Sequence, residues 1–280
     1  ILNYKFQKIT TVYTDFSKYF CEKIVSLEIS SYAEIYTHLI NELYSLSDYF
    51  YKHMNNLGNE SEEIFANIEP LQKAWAMENN IKYNEEKWMK EILVAQVRLF
   101  QPNVLFIQNL YFLDKDFRNS LRHACEKKIF IIGWRSAPTD DFSIFGDIDL
   151  ILSASPIIIE KLKKNGTNAE FLPLAFEDSI ISKIQKTQNR DLKFTFCGSI
   201  GSKIGFHSKR YKLIENILLE TPLQVWGYTT DNKLKPNQDP NISKTIFFLN
   251  NLLKKMRVPN QIIKSLPLLW RGSSWTTDPT

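Results

Sequence analysis

The residues of this sequence best suited to chemistry lie between Phe196 and Arg210, where an apolar run passes into glycines, serines and cations. Gly198 and Gly201 stand three positions apart directly after the run, and His207 and Arg210 follow with the same spacing. Glycines let a backbone approach a bulky anion closely, and a helix that begins after them presents unpaired N–H groups to it. The segment therefore predicts a loop that binds a phosphate or diphosphate group.

Three further side chains of this segment strengthen the phosphate interpretation. Ser199 offers a hydroxyl, Lys203 a cation, and the planar guanidinium of Arg210 can bind two phosphate oxygens at once. The spacing matches neither the GxxxxGK[ST] of a Walker loop nor the GxGxxG of a dinucleotide-binding turn. An ordinary glycine-rich turn followed by solvated lysines shows the same pattern, so the spacing alone leaves both interpretations open.

Composition excludes several other classes of protein. The 280 residues include 35 Lys and Arg against 31 Asp and Glu, a net charge of +4, which is too mild a balance to indicate a nucleic-acid partner. Cys21, Cys125 and Cys197 lie far apart in apolar segments, so we expect core thiols and no metal site. No apolar run reaches the length of a membrane span and no signal peptide opens the chain, so we expect a cytoplasmic protein.

Hydrophobic periodicity indicates an α/β protein. The first strand is predicted at 6–14, and amphipathic helices at 31–54, 70–80 and 84–100. After Pro102 the pattern changes, and short apolar runs at 103–110, 129–134, 149–155 and 169–176 alternate with helical segments at 116–128 and 156–166. Short buried strands that alternate with helices are typical of βαβ units, so we expect a parallel sheet with helices on both faces.

The alternation stops and restarts, which predicts two domains. Residues 182–191 are polar and form the expected linker, after which a strand, a helix and a strand follow between 193 and 228. We therefore assign 1–181 to an N-terminal Rossmann-like domain with a helical insertion and 192–280 to a second one. Residues 231–280 have little periodicity, so we expect the second domain to be incomplete.

Two stretches resemble one known family. The stretch "FTFCGSIGSKIGFHSKRYKLIENILLETPLQVWGY" (194–228) has a Gly-Ser loop, a His-x-x-Arg pair and a strand that ends at Trp-Gly-Tyr. The stretch 47–80 has a Tyr-rich helix, Leu-Gly, an Ile-x-x-Asn turn and Leu-Gln-x-x-Trp-Ala. Both resemble GT-B glycosyltransferases, in particular the bacterial group similar to the spore-maturation CgeB-like proteins.

The resemblance implies two Rossmann-like domains that face a cleft, with a nucleotide-diphosphate sugar in the second domain as co-substrate. It implies no metal and no other cofactor, because backbone N–H groups, a helix N-terminus and cations would neutralise the leaving diphosphate. The implied diphosphate-binding residues are Gly198, Ser199, Gly201, Lys203, His207 and Arg210. The implied nucleotide-binding region is Trp226, Gly227 and Tyr228.

The acceptor is expected in the first domain. Asn67, Gln72 and Trp75 belong to the resembling stretch, and Arg135 follows a predicted central strand. Asp15 follows the first predicted strand and is the candidate general base, which an inverting transfer requires. Each has a structural alternative: a helix N-cap for Asp15, as also for His207, a core position for Trp75 and an ion pair for Arg135.

The resemblance further implies a glycan or lipid-linked acceptor in bacterial surface-polysaccharide or lipopolysaccharide synthesis. The basic runs at 161–164 and 252–257 would suit peripheral contact with an anionic inner membrane, or solvated helix faces.

Two other functions stay open from the sequence. The acidic motif that GT-B members carry later in the second domain is not found here, which leaves a non-catalytic, transferase-like binding protein as an alternative. Another nucleotide-using α/β enzyme is the second alternative, although the segment after the first strand has no glycine, which counts against a dinucleotide site.

Overall fold

The computed structural model of the chain describes residues 4–44, 47–183, 194–200, 208–227, 252–253, 256 and 275–276. The chain divides into two compact units, residues 1–183 and 184–280. Each unit is an α/β structure, and each is described separately below.

The first unit is built on a six-stranded sheet in which every pair of neighbouring strands is parallel. The strands are β1 (Lys5–Thr10), β2 (Glu60–Phe65), β3 (Val104–Ile107), β4 (Phe130–Trp134), β5 (Leu150–Ser153) and β6 (Ala169–Phe171). Their order in the sheet is β2-β1-β3-β4-β5-β6. This confirms the predicted α/β class with a parallel sheet and is compatible with a Rossmann-like fold.

In the described part of the first unit, eight α-helices connect these strands or follow the last of them: α1 (Thr14–Ser26), α2 (Tyr32–Asn41), α3 (Tyr49–Asn56), α4 (Glu69–Glu78), α5 (Trp88–Phe100), α6 (Lys115–Ala124), α7 (Pro156–Lys164) and α8 (Ser179–Lys183). Pro156 stands at the first turn of α7, where its missing N–H breaks no bond, and Gly166 follows the helix with a φ of 76°. Both ends of this helix match the sequence prediction.

The two faces of the first sheet are covered differently. One face carries Ile9, Leu105 and Ile131, which form a buried core with the apolar sides of α5, α6 and α7. The opposite face carries Lys8 and Phe106. There, Phe50 of α3 lies against Phe106 with ring centroids 5.4 Å apart. Since α6 and α7 lie on the first face, this opposite face is free to form a cavity beneath α3.

Several predicted elements have different bounds in the structure. The first strand ends at Thr10 and not at residue 14, and the predicted helix 31–54 is two helices. Leu43, with a φ of 54°, lies between them in the left-handed region, which ends α2. Strand β2 was not predicted. The predicted strand 169–176 ends at Phe171, and the segment after it, 172–177, has no regular structure.

The second unit contains a smaller parallel sheet. Its strands are β7 (Thr195–Cys197), β8 (Gln224–Trp226) and β9 (Trp275–Thr276), in the order β7-β8-β9, and helix α9 (Ser208–Glu220) joins the first two. Ile200, Tyr211, Ile214 and Val225 pack in its core. Cys197 is exposed, whereas Cys21 and Cys125 are half-buried, so the prediction of three core thiols is wrong.

Candidate functional site

The order in which the chain adds strands to the first sheet reverses between β1 and β3. The chain leaves β1 to form β2 on one side and returns to form β3 on the other, so the loops after β1 and β3 diverge. In open α/β sheets, ligands bind in the crevice outside the carboxyl ends of the strands at such a point. A cavity of about 210 Å³ lies there, lined by Thr11, Val12, Tyr13, Tyr44, Gln108, Asn109 and Trp134. We call it the switch-point crevice.

Asn67 fixes the wall of this crevice that follows β1. Its Oδ1 accepts a hydrogen bond of 2.9 Å from the Val12 N–H, and its Nδ2 donates one of 2.8 Å to the Val12 carbonyl. The backbone carbonyl of Asn67 accepts a third bond, 2.8 Å long, from the Ser17 hydroxyl. The predicted acceptor residue Asn67 thus holds the β1–α1 loop with both polar atoms of its side chain.

The other wall follows β3 and carries amide side chains. Asn109 donates to the Thr11 hydroxyl over 3.2 Å and accepts from the Tyr111 N–H over 3.2 Å, so it joins the two walls. Gln108 is half-buried, and its Oε1 is buried with no hydrogen-bond partner among the described residues. A buried amide oxygen without a partner is costly, so a ligand group that donates a hydrogen bond would be favoured beside it.

Aromatic rings complete the crevice. Trp134 ends β4, and Tyr44 stacks on Phe16 of α1 with ring centroids 3.7 Å apart. Flat rings beside amide and hydroxyl groups suit a ligand that has both apolar faces and hydroxyls, such as a sugar ring.

Arg135, another predicted acceptor residue, follows Trp134 at the carboxyl end of β4. Its guanidinium carbon lies 4.9 Å from the centre of the Tyr111 ring, and Nη2 donates to the Pro138 carbonyl over 2.5 Å. Among the described residues it forms no ion pair with a carboxylate, so that structural alternative finds no support there. The contacts hold Arg135 at the same edge of the sheet as the crevice.

A second cavity, of about 330 Å³, adjoins the crevice on the face of the sheet beneath α3. Its walls are mostly apolar and aromatic: Lys8, Tyr49, Phe50, His53, Phe106, Gln108, Trp134, Leu172, Pro173, Leu174, Ala175, Phe176 and Glu177. We call it the aromatic cavity. Gln108 and Trp134 line both spaces.

Lys8 is the buried cation of the aromatic cavity. Only 1% of the residue is exposed, and its Nζ lies 2.6 Å from Oε1 of Glu63 and 5.6 Å from the centre of the Phe50 ring. The same Glu63 oxygen accepts a bond of 2.7 Å from the Thr10 hydroxyl. Burial raises the pKa of Glu63 above its ordinary value, although the charge of Lys8 opposes that rise.

The segment 172–177 closes the outer side of the aromatic cavity, and one polar contact joins it to α3. Nε2 of His53 lies 2.7 Å from Oε2 of Glu177. The Ser179 hydroxyl donates to Oε1 of Glu177 over 2.5 Å. The bonds from Ser179 and His53 lower the pKa of Glu177 below its ordinary value.

The remaining residues predicted for the first unit lie outside both cavities. Asp15 is exposed in the first turn of α1, and the N-cap of that helix is Tyr13, so Asp15 is not the cap. Gln72 is buried on α4 and donates to the Phe65 carbonyl over 3.1 Å. Trp75 is half-buried on α4.

In the second unit, the residues predicted to bind a diphosphate and a nucleotide come together where they are described. Gly198 has a φ of 146°, and its N–H donates to the Trp226 carbonyl over 2.8 Å. A Cβ on Gly227 would lie 2.0 Å from the Gly198 carbonyl oxygen. Arg210, in the first turn of α9, donates from Nη1 to the Ser199 carbonyl over 2.9 Å. Gly201, Lys203, His207 and Tyr228 lie outside the described residues.

Sequence reasoning missed Lys8, Gln108, Asn109 and Trp134 as residues that line the two spaces, and Glu63 as the partner of Lys8. Gln108 and Asn109 were detectable as site residues, because they are the first polar residues after the apolar strand β3. Ligands bind at the carboxyl ends of parallel strands. No signal in the sequence pairs Lys8 with Glu63.

Comparisons with known proteins add no family. No protein-family model matches the chain, and no curated protein is similar enough to count as a match. Within the described residues, no three His, Cys, Asp or Glu side chains are grouped closely enough to hold a metal ion. Within the same residues, every helix is too short or too polar to cross a bilayer.

Proposed function

We propose that the chain is a glycosyltransferase that moves a sugar from a nucleotide-diphosphate donor to an acceptor hydroxyl. The observation that carries the proposal is the hydrogen bond from Arg210, in the first turn of α9, to the Ser199 carbonyl just beyond β7, which places a guanidinium between a strand end and the beginning of a helix. Gly198 and Gly227 let the carboxyl ends of β7 and β8 approach closely, and anions are favoured at the beginning of the helix that follows β7. This arrangement lies within the stretch that resembles GT-B enzymes.

The donor diphosphate would bind at this turn. Among the described residues, Arg210 donates to the Ser199 carbonyl through Nη1, and a guanidinium has five N–H donors, so it can also bind phosphate oxygens. The departing nucleoside diphosphate develops negative charge, which the guanidinium and the helix N-terminus would stabilise. The proposal therefore needs no metal ion.

The switch-point crevice would bind the acceptor. Its amide groups, the Thr11 hydroxyl and the rings of Tyr44 and Trp134 suit a hydroxyl-bearing molecule. Asp15 is exposed two residues beyond Tyr13, which lines the crevice, and we retain its carboxylate as the proposed general base. A glycan or lipid-linked acceptor of a bacterial surface polysaccharide fits this chemistry and the family that the sequence resembles.

Peripheral membrane contact belongs to the same proposal and has less support. On α7, Lys163 lies 3.1 Å from Glu170 and Lys164 lies 2.8 Å from Glu160, so two lysines of this basic run are already paired with carboxylates. Surface pairs of this kind reduce the net charge that the helix offers to an anionic membrane.

Isothermal titration of the chain with UDP-, GDP- and CMP-sugars tests the donor site. We expect at least one of them to bind, and Arg210→Ala to weaken that nucleotide-diphosphate about tenfold or more while binding of the free nucleoside is unchanged. Lys212→Ala is the matched control, since Lys212 is also exposed on α9. Absence of binding by every nucleotide would overturn the proposal, and equal loss of nucleoside binding would indicate a misfolded second unit.

A further inference from the structure

The aromatic cavity and the switch-point crevice adjoin at the carboxyl ends of β3 and β4, where Gln108 and Trp134 line both. The two spaces therefore share a boundary formed by these two side chains. The crevice is lined by amides and hydroxyls, whereas the cavity is lined mainly by rings and aliphatic side chains. The pair of spaces is complementary to a molecule with one polar end and one apolar end.

The size and walls of the aromatic cavity define the apolar end. Its volume of about 330 Å³ lies at the small end of the range of roughly 300–1,000 Å³ that small-molecule pockets show. Phe50, Phe106, Trp134 and Phe176 contribute rings to its walls. A body of one or two fused rings, or a short branched hydrocarbon, fits this volume and can pack against these rings.

Two polar side chains define what else the occupant carries. Lys8 lines the cavity and is nine-tenths or more buried, yet among the described residues its ammonium has a single hydrogen-bond acceptor, Oε1 of Glu63. An ammonium has three N–H donors, so it retains donors for a ligand oxygen. Gln108 has the opposite need, because its buried Oε1 accepts no hydrogen bond from any described residue.

We propose that the aromatic cavity binds the apolar body of a small alcohol or phenol whose hydroxyl lies at Gln108, at the border with the crevice. A hydroxyl fits because it can donate to Oε1 of Gln108, and Lys8 offers a further donor within the cavity to an oxygen of the ligand. Lys8 is already paired with Glu63, so the ligand needs no negative charge. The occupant is thus a neutral, hydroxylated aromatic or aliphatic molecule.

The role of this molecule as the sugar acceptor rests on the proposed glycosyltransferase function, and there it takes the place of the glycan or lipid-linked acceptor that the sequence resemblance implies. In that transfer the hydroxyl oxygen forms a bond to the anomeric carbon, and the bond from that carbon to the diphosphate oxygen breaks. The nucleoside diphosphate leaves with the electron pair, and the hydroxyl proton passes to a carboxylate such as that of Asp15. The products are a glycoside of the apolar alcohol, a nucleoside diphosphate and a proton held by the base.

Binding of two matched probes tests the inference without any donor. We expect 2-naphthol to bind the chain in isothermal titration about tenfold more tightly than 2-methoxynaphthalene, which keeps the rings and loses the O–H. Gln108→Leu should weaken the binding of 2-naphthol about tenfold and leave the binding of 2-methoxynaphthalene unchanged. Ala175→Trp, which adds an indole at the cavity wall, should weaken both probes tenfold or more, whereas Ala175→Ser should weaken neither.

Three results would overturn the inference: no binding of 2-naphthol, equal binding of the methyl ether, or full binding in Ala175→Trp. Ala175 is exposed in an irregular segment, so its variants are expected to fold, and thermal unfolding verifies this for every variant. The result is independent of the donor site. Naphthol binding without any nucleotide binding would overturn the glycosyltransferase role alone. Nucleotide binding without naphthol binding would overturn only the proposed ligand of the aromatic cavity.

Discussion

Lys8 and Glu63 are register partners on the adjacent parallel strands β1 and β2, and their Nζ and Oε1 atoms lie 2.6 Å apart with both residues 1% exposed. The pair places a charged group in the wall of a mostly apolar cavity. Withdrawing both charges from water is costly, and their attraction offsets that cost only while the pair is intact. The stability of the first unit therefore depends on keeping both partners or replacing both.

Lys8→Met tests this dependence, because among the described residues it leaves the buried Glu63 carboxylate with the Thr10 hydroxyl as its single hydrogen-bond donor. We expect a loss of about 3–5 kcal/mol in the free energy of opening of β1 and β2, measured by native-state hydrogen exchange of their backbone amides. The double variant Lys8→Met, Glu63→Leu is expected to recover most of the loss. A double variant less stable than Lys8→Met would contradict the role of pairing.

The same pair shows why part of the fold could not be predicted from the sequence. Strand β2, "ESEEIF", reads as polar, and Glu63 is buried because Lys8 lies opposite it, 55 residues earlier in the chain. By contrast, β3, β4 and β5 are short apolar runs between helical segments, and their local pattern was sufficient to predict them as strands. Residues 172–176 are as apolar as a strand, but they cover the aromatic cavity instead of extending β6.

The candidate site was only partly predictable for a related reason. The segment from Gly198 to Arg210 and the turn at Gly227 have recognisable composition, and their described residues do come together. The crevice depends on which strand ends are neighbours, and no local sequence motif specifies the order β2-β1-β3. The sequence indicates Asn67 as an acceptor residue only through the resemblance of 47–80 to GT-B enzymes. Its hydrogen bonds to Val12 show how it positions the crevice wall.

Asn67→Ala should loosen that wall. The substitution removes two hydrogen bonds to Val12, and leaving half-buried backbone groups unpaired costs about 1–3 kcal/mol. We expect faster hydrogen exchange of the Val12 amide, with little change in the amides of β3. Asn79→Ala is the control, since Asn79 is exposed and, among the described residues, its side chain hydrogen-bonds only to the carbonyl of Trp75 on the preceding helix α4. Unchanged exchange at Val12 would show that the loop is held by other contacts.

Gly227→Ala should disrupt the second unit. The new Cβ would lie 2.0 Å from the Gly198 carbonyl oxygen, a backbone atom that cannot move aside as a flexible side chain can. We expect a loss of about 1–3 kcal/mol, typical of overpacking, seen as faster exchange of the Gly198 amide that bonds to the Trp226 carbonyl.

A glycine with open surroundings provides the control for that variant. An added Cβ at Gly146 would lie 3.6 Å from the Ser143 carbonyl, an ordinary contact, so Gly146→Ala should leave the exchange of its neighbours nearly unchanged. If Gly227→Ala were equally mild, β7 and β8 would have to separate at their ends without cost.

Acid should open the outer side of the aromatic cavity. The pKa of Glu177 is lowered by Ser179 and His53, so the contribution of this carboxylate to the closed rim is complete above its ordinary pKa of about 4.3. It is lost as the pH falls through the lowered value. We therefore expect the Leu172 amide, which bonds to the Ser153 carbonyl, to lose protection in acid beyond the loss seen for Glu177→Gln.

Comparing the wild type with Glu177→Gln at each pH cancels the intrinsic pH dependence of amide exchange. The ratio of their exchange rates at Leu172 therefore reports only how often the rim opens. Above pH 5 the Glu177→Gln variant should exchange at Leu172 about two- to fivefold faster than the wild type, the scale of an exposed pair. The two rates should converge in acid, where the carboxylate is protonated. Asp178→Asn, which changes an exposed neighbour without removing the bond to His53, should follow the wild type throughout. A constant ratio across the pH range would mean that the bond between His53 and Glu177 does not hold the rim closed.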